Sequence, residues 1–186
     1  MENDIEKLKF PIGKYKAILE FNFSRTIEDI KTLESFAAKL RDSVKGLDKT
    51  DFKKTYRKGG MNIAQIIHHY CDTHTYAFLR TKHTLLEDNP SVKMYEVSEF
   101  LTTPESNVLD VEDSLKVIEG IHAKWVSLLK TLSQDDFNKT YYHSARDKNI
   151  ILHEHVGMYA WHTKHHLVHI GMAKESIKEK GKRSKQ

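Results

Sequence analysis

The sequence predicts an all-α protein, a four-helix bundle with a long connection between its second and third helices. Three observations predict it. Breakers are sparse, with eight glycines and three prolines in 186 residues, so long stretches run uninterrupted. Four of those stretches repeat apolar residues at three- and four-residue spacing. Alternation with a period of two is confined to residues 14–22, so a major sheet is not expected.

Residues 1–23, with the turn signal Phe10-Pro-Ile-Gly13, read as an extended or looped lead-in that offers Tyr15, Ile18, Leu19 and Phe21 for packing. The first long helix is predicted over 26–44, capped by Ser24 or Thr26, with Ile27, Ile30, Leu33, Phe36, Ala37, Leu40 and Val44 at helical spacing and Gly46 closing it. A linker through Lys58-Gly-Gly60 leads to the second, over 62–87, with Asn62 as N-cap and Asp88-Asn-Pro90 as stop. A polar connection spans 89–111. The third helix begins at Val111 or Asp113 and carries a stripe of Leu115, Ile118, Ile121, Trp125, Leu128 and Leu132. A connection through Tyr141, His143 and Arg146 reaches Asn149, the expected cap of a fourth helix over 150–178. One domain over 1–178 and a basic, disordered tail over 179–186 complete the expectation.

Composition narrows the functional classes. An apolar share of 39% and a charged share of 30% suit a soluble helical protein, and no apolar run is long enough to span a membrane. The N-terminus has no apolar signal-peptide core, and the single cysteine, Cys71, excludes an internal disulfide. The expected location is cytoplasmic. The net charge of +4 arises from the last residues, Lys174 onward, so the body of the chain is near neutral and shows no basic, aromatic-interleaved stripe for nucleic acid.

The chemistry concentrates in histidine. Of twelve in the chain, four fall in Tyr159-Ala-Trp-His-Thr-Lys-His-His-Leu-Val-His169, within an arc of roughly 100° on a helix. His162 and His166 stand one above the other at i, i+4, a spacing that holds one divalent metal with bonds of about 2 Å. In the second helix His69 heads a polar stripe with Gln65, Asp72, Tyr76 and Arg80 within about 60° of its direction. A polar stripe inside a bundle costs free energy unless it is paired or bound to something. One ligand from helix two and two from helix four make a three-histidine set, His69, His162 and His166, with a fourth position open to water or substrate. All-imidazole ligation suits Zn²⁺, Ni²⁺, Cu²⁺ or Fe²⁺. Asp72 and His165 are candidates to orient an imidazole or to move a proton, and Gln65, Tyr76 and Arg80 to touch substrate. His74 falls roughly opposite His69, and His68, His74, His83, His122 and His143 join no constellation. Cys71 reads as a small hydrophobe, Trp125 and Trp161 as core, and His153-Glu-His155 as a poor chelate, because positions two apart on a helix diverge.

These motifs resemble the DinB-like superfamily of metal-binding four-helix bundles, and within it the YfiT-like branch of metal-dependent hydrolases that includes bacillithiol S-transferases. The resemblance is carried by Phe10-Pro-Ile-Gly-Lys-Tyr15, Tyr56-Arg-Lys-Gly-Gly60, Ile67-His-His-Tyr-Cys-Asp-Thr-His74, Glu87-Asp-Asn-Pro90, Gly120-Ile-His-Ala-Lys-Trp125 and Tyr159 to Ile170. It implies the same triad and favours His69 over His68, from an eight-residue offset to a position where the family usually has tryptophan and this chain has Met61. A second departure is Met94, where related sequences often carry proline after the lysine. The resemblance further implies one divalent metal per chain, zinc or nickel foremost, and a homodimer without nucleic-acid or membrane partners. Its reaction would be either a thiol (bacillithiol) transfer to small electrophiles or a hydrolysis of amide or ester bonds by an activated water. The lack of a glutamate in an H-E-x-x-H relation tilts the reading toward transfer. A non-catalytic metal- or ligand-binding bundle is the third reading.

Overall fold

A computed structural model describes the backbone of residues 2–92 and 96–183 and the side chains of residues 4–92 and 96–175. In chain order the elements are α1 (Glu2–Lys9), α2 (Phe23–Val44), α3 (Ile63–Leu86), β1 (Ser91–Val92), the one-turn α4 (Val97–Phe100), α5 (Glu112–Leu129), the short α6 (Gln134–Asn138), β2 (Thr140–His143), β3 (Lys148–Ile151) and α7 (Leu152–Arg183). The four long helices α2, α3, α5 and α7 form the bundle. The closely packed pairs are α2 with α7, α2 with α5, α3 with α5 and α3 with α7. Helices α2 and α3, neighbours in sequence, therefore face each other across the bundle, as α5 and α7 do. No helix among the described residues is long and apolar enough to cross a membrane.

Local chemistry fixes the helix ends. Asn62 caps α3 in a reciprocal box: its side chain accepts from the Gln65 backbone N–H at 2.8 Å, and the Gln65 side chain accepts from the Asn62 N–H at 3.0 Å. The cap of α2 is Asn22 rather than Ser24 or Thr26. Its oxygen accepts the Arg25 N–H at 2.9 Å, which starts the helix three residues before the expected position. Gly46 follows α2 at φ +79°, where a Cβ would be strained. Gly157 in α7 permits close packing on α2: a methyl group there would come within 3.2 Å of Asp29 Oδ2 and 3.3 Å of the Tyr15 hydroxyl.

Two expectations are corrected. The N-terminal segment opens with helix α1, not with a looped lead-in. The connection before α7 is a hairpin, and Asn149 lies inside β3 instead of capping a helix. The small sheet has the order β1-β2-β3, with β1 parallel to β2 and β2 antiparallel to β3, pairing Val92 with His143 and Tyr141 with Ile150. Its strands are two to four residues long, too short to stand out as alternation, but they bury Tyr141 and Ile150 alternately against the bundle. Asp147, in the left-handed region at φ 47°, turns the chain between β2 and β3. Met94 lies outside the described residues, as do the side chains of the expected tail at 179–186.

The interior is layered. One apolar cluster gathers Phe36, Leu40, Ile63, Ile66, Ile67, Leu115, Ile118 and Ile170. A second gathers Ile30, Leu33, Ala77, Trp125, Leu129, Leu152 and Val156. Between these two clusters each of α3, α5 and α7 contributes buried histidines, His74 from α3, His122 from α5, and His165, His166 and His169 from α7.

Candidate functional site

Helices α3 and α7 bring His69, His162 and His166 together, with their candidate ligand nitrogens within 4.8 Å of one another. His69 Nε2 lies 3.1 Å from His162 Nε2. The outer nitrogens point away from this focus: His69 Nδ1 faces the Thr73 hydroxyl at 3.2 Å, His162 Nδ1 faces His74 Nε2 at 3.1 Å, and His166 Nδ1 faces His169 Nδ1 at 3.1 Å. Tyr70 packs its ring edge-on against His162 and His166 and donates to the Thr163 carbonyl at 2.6 Å. That contact ties α3 to α7 at the level of the site.

Burial keeps the rings uncharged. It pushes His69 down to about 4, helped by His165 nearby, and holds His162 and His166 well below the usual imidazole range. Three neutral imidazoles turned toward one point are the donor set of a divalent transition metal. A nitrogen–nitrogen span of 3.1 Å is what two bonds of about 2.1 Å subtend at a common ion. The residues present fit such an ion. A second histidine grouping, His165, His166 and His169, shares His166 with the first and has His169 Nε2 already committed to the Leu8 carbonyl at 3.1 Å.

The structure separates the two histidines at 68 and 69. His68 turns to α5, with Nδ1 at 2.8 Å from the Ser114 hydroxyl and Nε2 at 3.1 Å from the Val108 carbonyl. His69 turns the other way, toward His162 and His166.

Beside the triad opens a cavity of about 360 Å³, walled by His69, Thr73, Arg80, Tyr159 and His162 from the bundle, by Met158 and Trp161 of α7, by Val97 of α4, and by His143, Ala145 and Arg146 of the hairpin. No Asp or Glu among the described residues lines it. Arg80 is buried, donates to the Tyr159 hydroxyl at 3.4 Å and lies over the Tyr76 ring. Arg146 reaches in from the hairpin with Nη1 at 3.5 Å from Met158 Sδ. His143 Nδ1 and Trp161 Nε1 are buried polar atoms with no hydrogen-bond partner among the described residues. Burial and then the two arginines lower the His143 pKa. The wall of the cavity is thus positively charged and carries unspent hydrogen-bonding capacity.

Other candidates fall elsewhere. Gln65 caps α3 and donates to Asn107 at 3.1 Å, away from the cavity. Tyr76 lines a separate groove with His83 and Glu87. Asp72 is pushed up to about 6 by burial and by Glu105 and does not line the cavity. His165 stacks on Trp161 at 4.5 Å between ring centroids. Of the two tryptophans expected in the core, Trp125 is there, while Trp161 is half-buried at the cavity. Sequence reasoning missed His74 and His122. His74 lies 140° around α3 from His69, yet it meets the same ring, because His162 enters between them and presents one nitrogen to each.

A family model for the DinB superfamily matches residues 32–170. A protein of Geobacillus kaustophilus is 34% identical over 166 residues, 89% of this chain and 93% of its own. One of Oceanobacillus iheyensis is 36% identical over 162 residues, 87% and 93% of the two chains, and YfiT of Bacillus subtilis is 31% identical over 163 residues, 88% and 92%. All three carry names that call them candidate metal-dependent hydrolases. The solved structure of Bacillus subtilis YfiT, described as an unusual four-helix bundle topology, superposes with a TM-score of 0.89 at 30% identity over 92% of this chain and 98% of that one. A mycothiol-dependent maleylpyruvate isomerase shares the fold at a TM-score of 0.63 and 14% identity, over 78% and 60% of the two chains. Fold, histidine cluster and relatives agree, and the chain belongs to the DinB superfamily, among relatives of the YfiT type.

Proposed function

We propose that this protein is a metal-dependent enzyme in which His69, His162 and His166 hold one divalent ion, zinc or nickel, and that it transfers a carboxylate-bearing small thiol, bacillithiol foremost, to an electrophile. The names of the relatives support metal-dependent enzymology in general. The observation that carries the finer reading is the cavity wall: Arg80 and Arg146 face a space with no acidic side chain among its described lining residues.

When bound, the ion supplies a Lewis acid that lowers the pKa of a thiol or a water at its open position. The chain's own residues do the rest. Arg80 and Arg146 offer the paired, charge-assisted donors that a carboxylate takes. Met158, Trp161 and Val97 offer an apolar wall to the electrophile. Buried His143 can accept or donate at Nδ1 as charge shifts in the cavity. Hydrolysis is favoured by the names of the relatives, but it wants a general base at the attacking water. Asp72 is turned elsewhere, which leaves His143 as the base in that reading.

Thiol consumption by metal-reconstituted protein decides between them. Bacillithiol, cysteine, glutathione and cysteamine are offered with a model alkyl halide, and a panel of amides and esters is tested in parallel. Metal-dependent turnover that prefers carboxylate-bearing thiols to cysteamine is the expected result. Ester or amide cleavage without thiol consumption would replace transfer with hydrolysis, and inactivity in both panels would favour a non-catalytic metal-binding bundle.

A further inference from the structure

We propose that His74 and His122 are positioning residues of the metal site, forming an imidazole relay to the Leu33 carbonyl that holds His162 in the tautomer with its Nε2 lone pair turned to the metal. This rests on the metal reading above.

The direction of the relay follows from its far end. The Leu33 carbonyl can only accept, so His122 Nδ1, 2.9 Å away, carries a proton. A neutral His122 then has a bare Nε2, and His74 Nδ1 at 2.8 Å must donate to it. That leaves His74 Nε2 bare, so His162 Nδ1 at 3.1 Å donates in turn. His162 Nε2 is left without a proton, 3.1 Å from His69 Nε2. One carbonyl thereby orders three rings. Neutrality is set by burial: His74 is 0% and His122 2% exposed, and Phe36 packs on both rings.

The other two rings obey the same rule over shorter paths. His169 Nε2 donates to the Leu8 carbonyl, so its Nδ1 accepts from His166 Nδ1. The Thr73 hydroxyl donates to the His69 carbonyl at 2.5 Å, so its oxygen accepts from His69 Nδ1. Each path ends on a main-chain carbonyl, and each leaves the nitrogen facing the triad bare. The His162 path alone among these runs through all four bundle helices, from α7 by α3 and α5 to α2. Buried histidines that merely satisfied one another would have no reason to converge on this one pattern at three rings.

The test begins with the metal-free full-length protein. Long-range ¹H–¹⁵N correlations should show His162 protonated at Nδ1 and bare at Nε2. His122→Phe keeps the packing on Phe36 and Trp125 but removes the acceptor for His74. It should weaken Zn²⁺ binding about tenfold to a hundredfold and give His162 a mixture of tautomers. His122→Gln returns an oxygen for His74 and an amide N–H for Leu33, and it should restore most of the affinity. A wild-type His162 protonated at Nε2 overturns the proposal. So does a His122→Phe protein with wild-type Zn²⁺ affinity and an unchanged His162 tautomer. The wild-type tautomer is decisive even where the variant does not fold. Wild-type protein that takes up neither Zn²⁺ nor Ni²⁺ would overturn the metal reading instead, a failure distinct from a wrong tautomer.

Discussion

Two kinds of interior share this bundle. On either side lie apolar clusters centred on Leu40 and Ile66 and on Leu33 and Trp125; between them lies a layer of imidazoles from His69, His74, His122, His162 and His166. The apolar layers hold by area and volume, which are non-directional and tolerate exchanges of similar size. The imidazole layer holds by donor and acceptor pairing, in which one reversed proton leaves a buried group unpaired. Stability resides mainly in the first kind of interior and ligand chemistry in the second, and substitutions should separate the two.

The largest separation is expected from truncation. Leu40→Ala should cost about 2–5 kcal/mol of unfolding free energy while the protein that remains folded binds Zn²⁺ as the wild type does. His69→Ala should abolish Zn²⁺ binding and cost the metal-free protein less than Leu40→Ala does. Urea unfolding alongside calorimetric Zn²⁺ titration reads both, and a Leu40→Ala protein that folds but loses the metal would merge the two interiors.

Acid should act through the buried imidazoles, opposed by Asp72, whose carboxyl burial raises to about 6. Burial, with the Leu33 hydrogen bond opposing it, lowers His122 to about 4, and burial followed by Arg80 lowers His155 to about 3. In the unfolded chain both take up protons below about 6.5, so between that pH and about 4 the unfolded state binds more protons. The contribution of these two histidines to the stability of the metal-free protein therefore falls as pH falls through this window and is flat above about 7. For His122 the full effect is about 3 kcal/mol by pH 4. His122→Phe should flatten the slope, whereas Leu40→Ala should lower the curve without changing its shape. A His122→Phe protein whose urea midpoint varies with pH from about 7 to about 4 as the wild type's does would contradict this.

A smaller effect is expected at the cavity. Arg146→Ala should raise KM for a carboxylate-bearing thiol about tenfold, the loss of one charge-assisted hydrogen bond, with kcat retained and the KM for cysteamine unchanged. An equal change for both thiols would remove Arg146 from carboxylate binding.

The same contrast explains what the sequence makes legible. Long amphipathic helices announce themselves by period, so α2, α3, α5 and α7 and their apolar faces are readable, and an i, i+4 histidine pair is readable on the same ruler. The cavity wall is not. His143 and Arg146 reach it through strands of four residues joined by a turn at Asp147, and such short strands leave no usable alternation. The relay is hidden for another reason. Helical angle measured from His69 sends His74 to the far side of α3, but whether two positions share a partner depends on where α7 enters, which is a tertiary fact. Gln65 caps α3 and lies away from the cavity; the same angular ruler cannot tell a helix cap from a cavity wall.

The most direct test of the account is a Zn²⁺ titration of the metal-free wild type and of His69→Ala, His162→Ala, His166→Ala and His165→Ala. One equivalent bound per chain in the wild type and in His165→Ala, and none in the other three, is the predicted result. Binding that survives in His69→Ala and disappears in His165→Ala would move the metal to the neighbouring His165, His166 and His169 grouping and contradict the site described here.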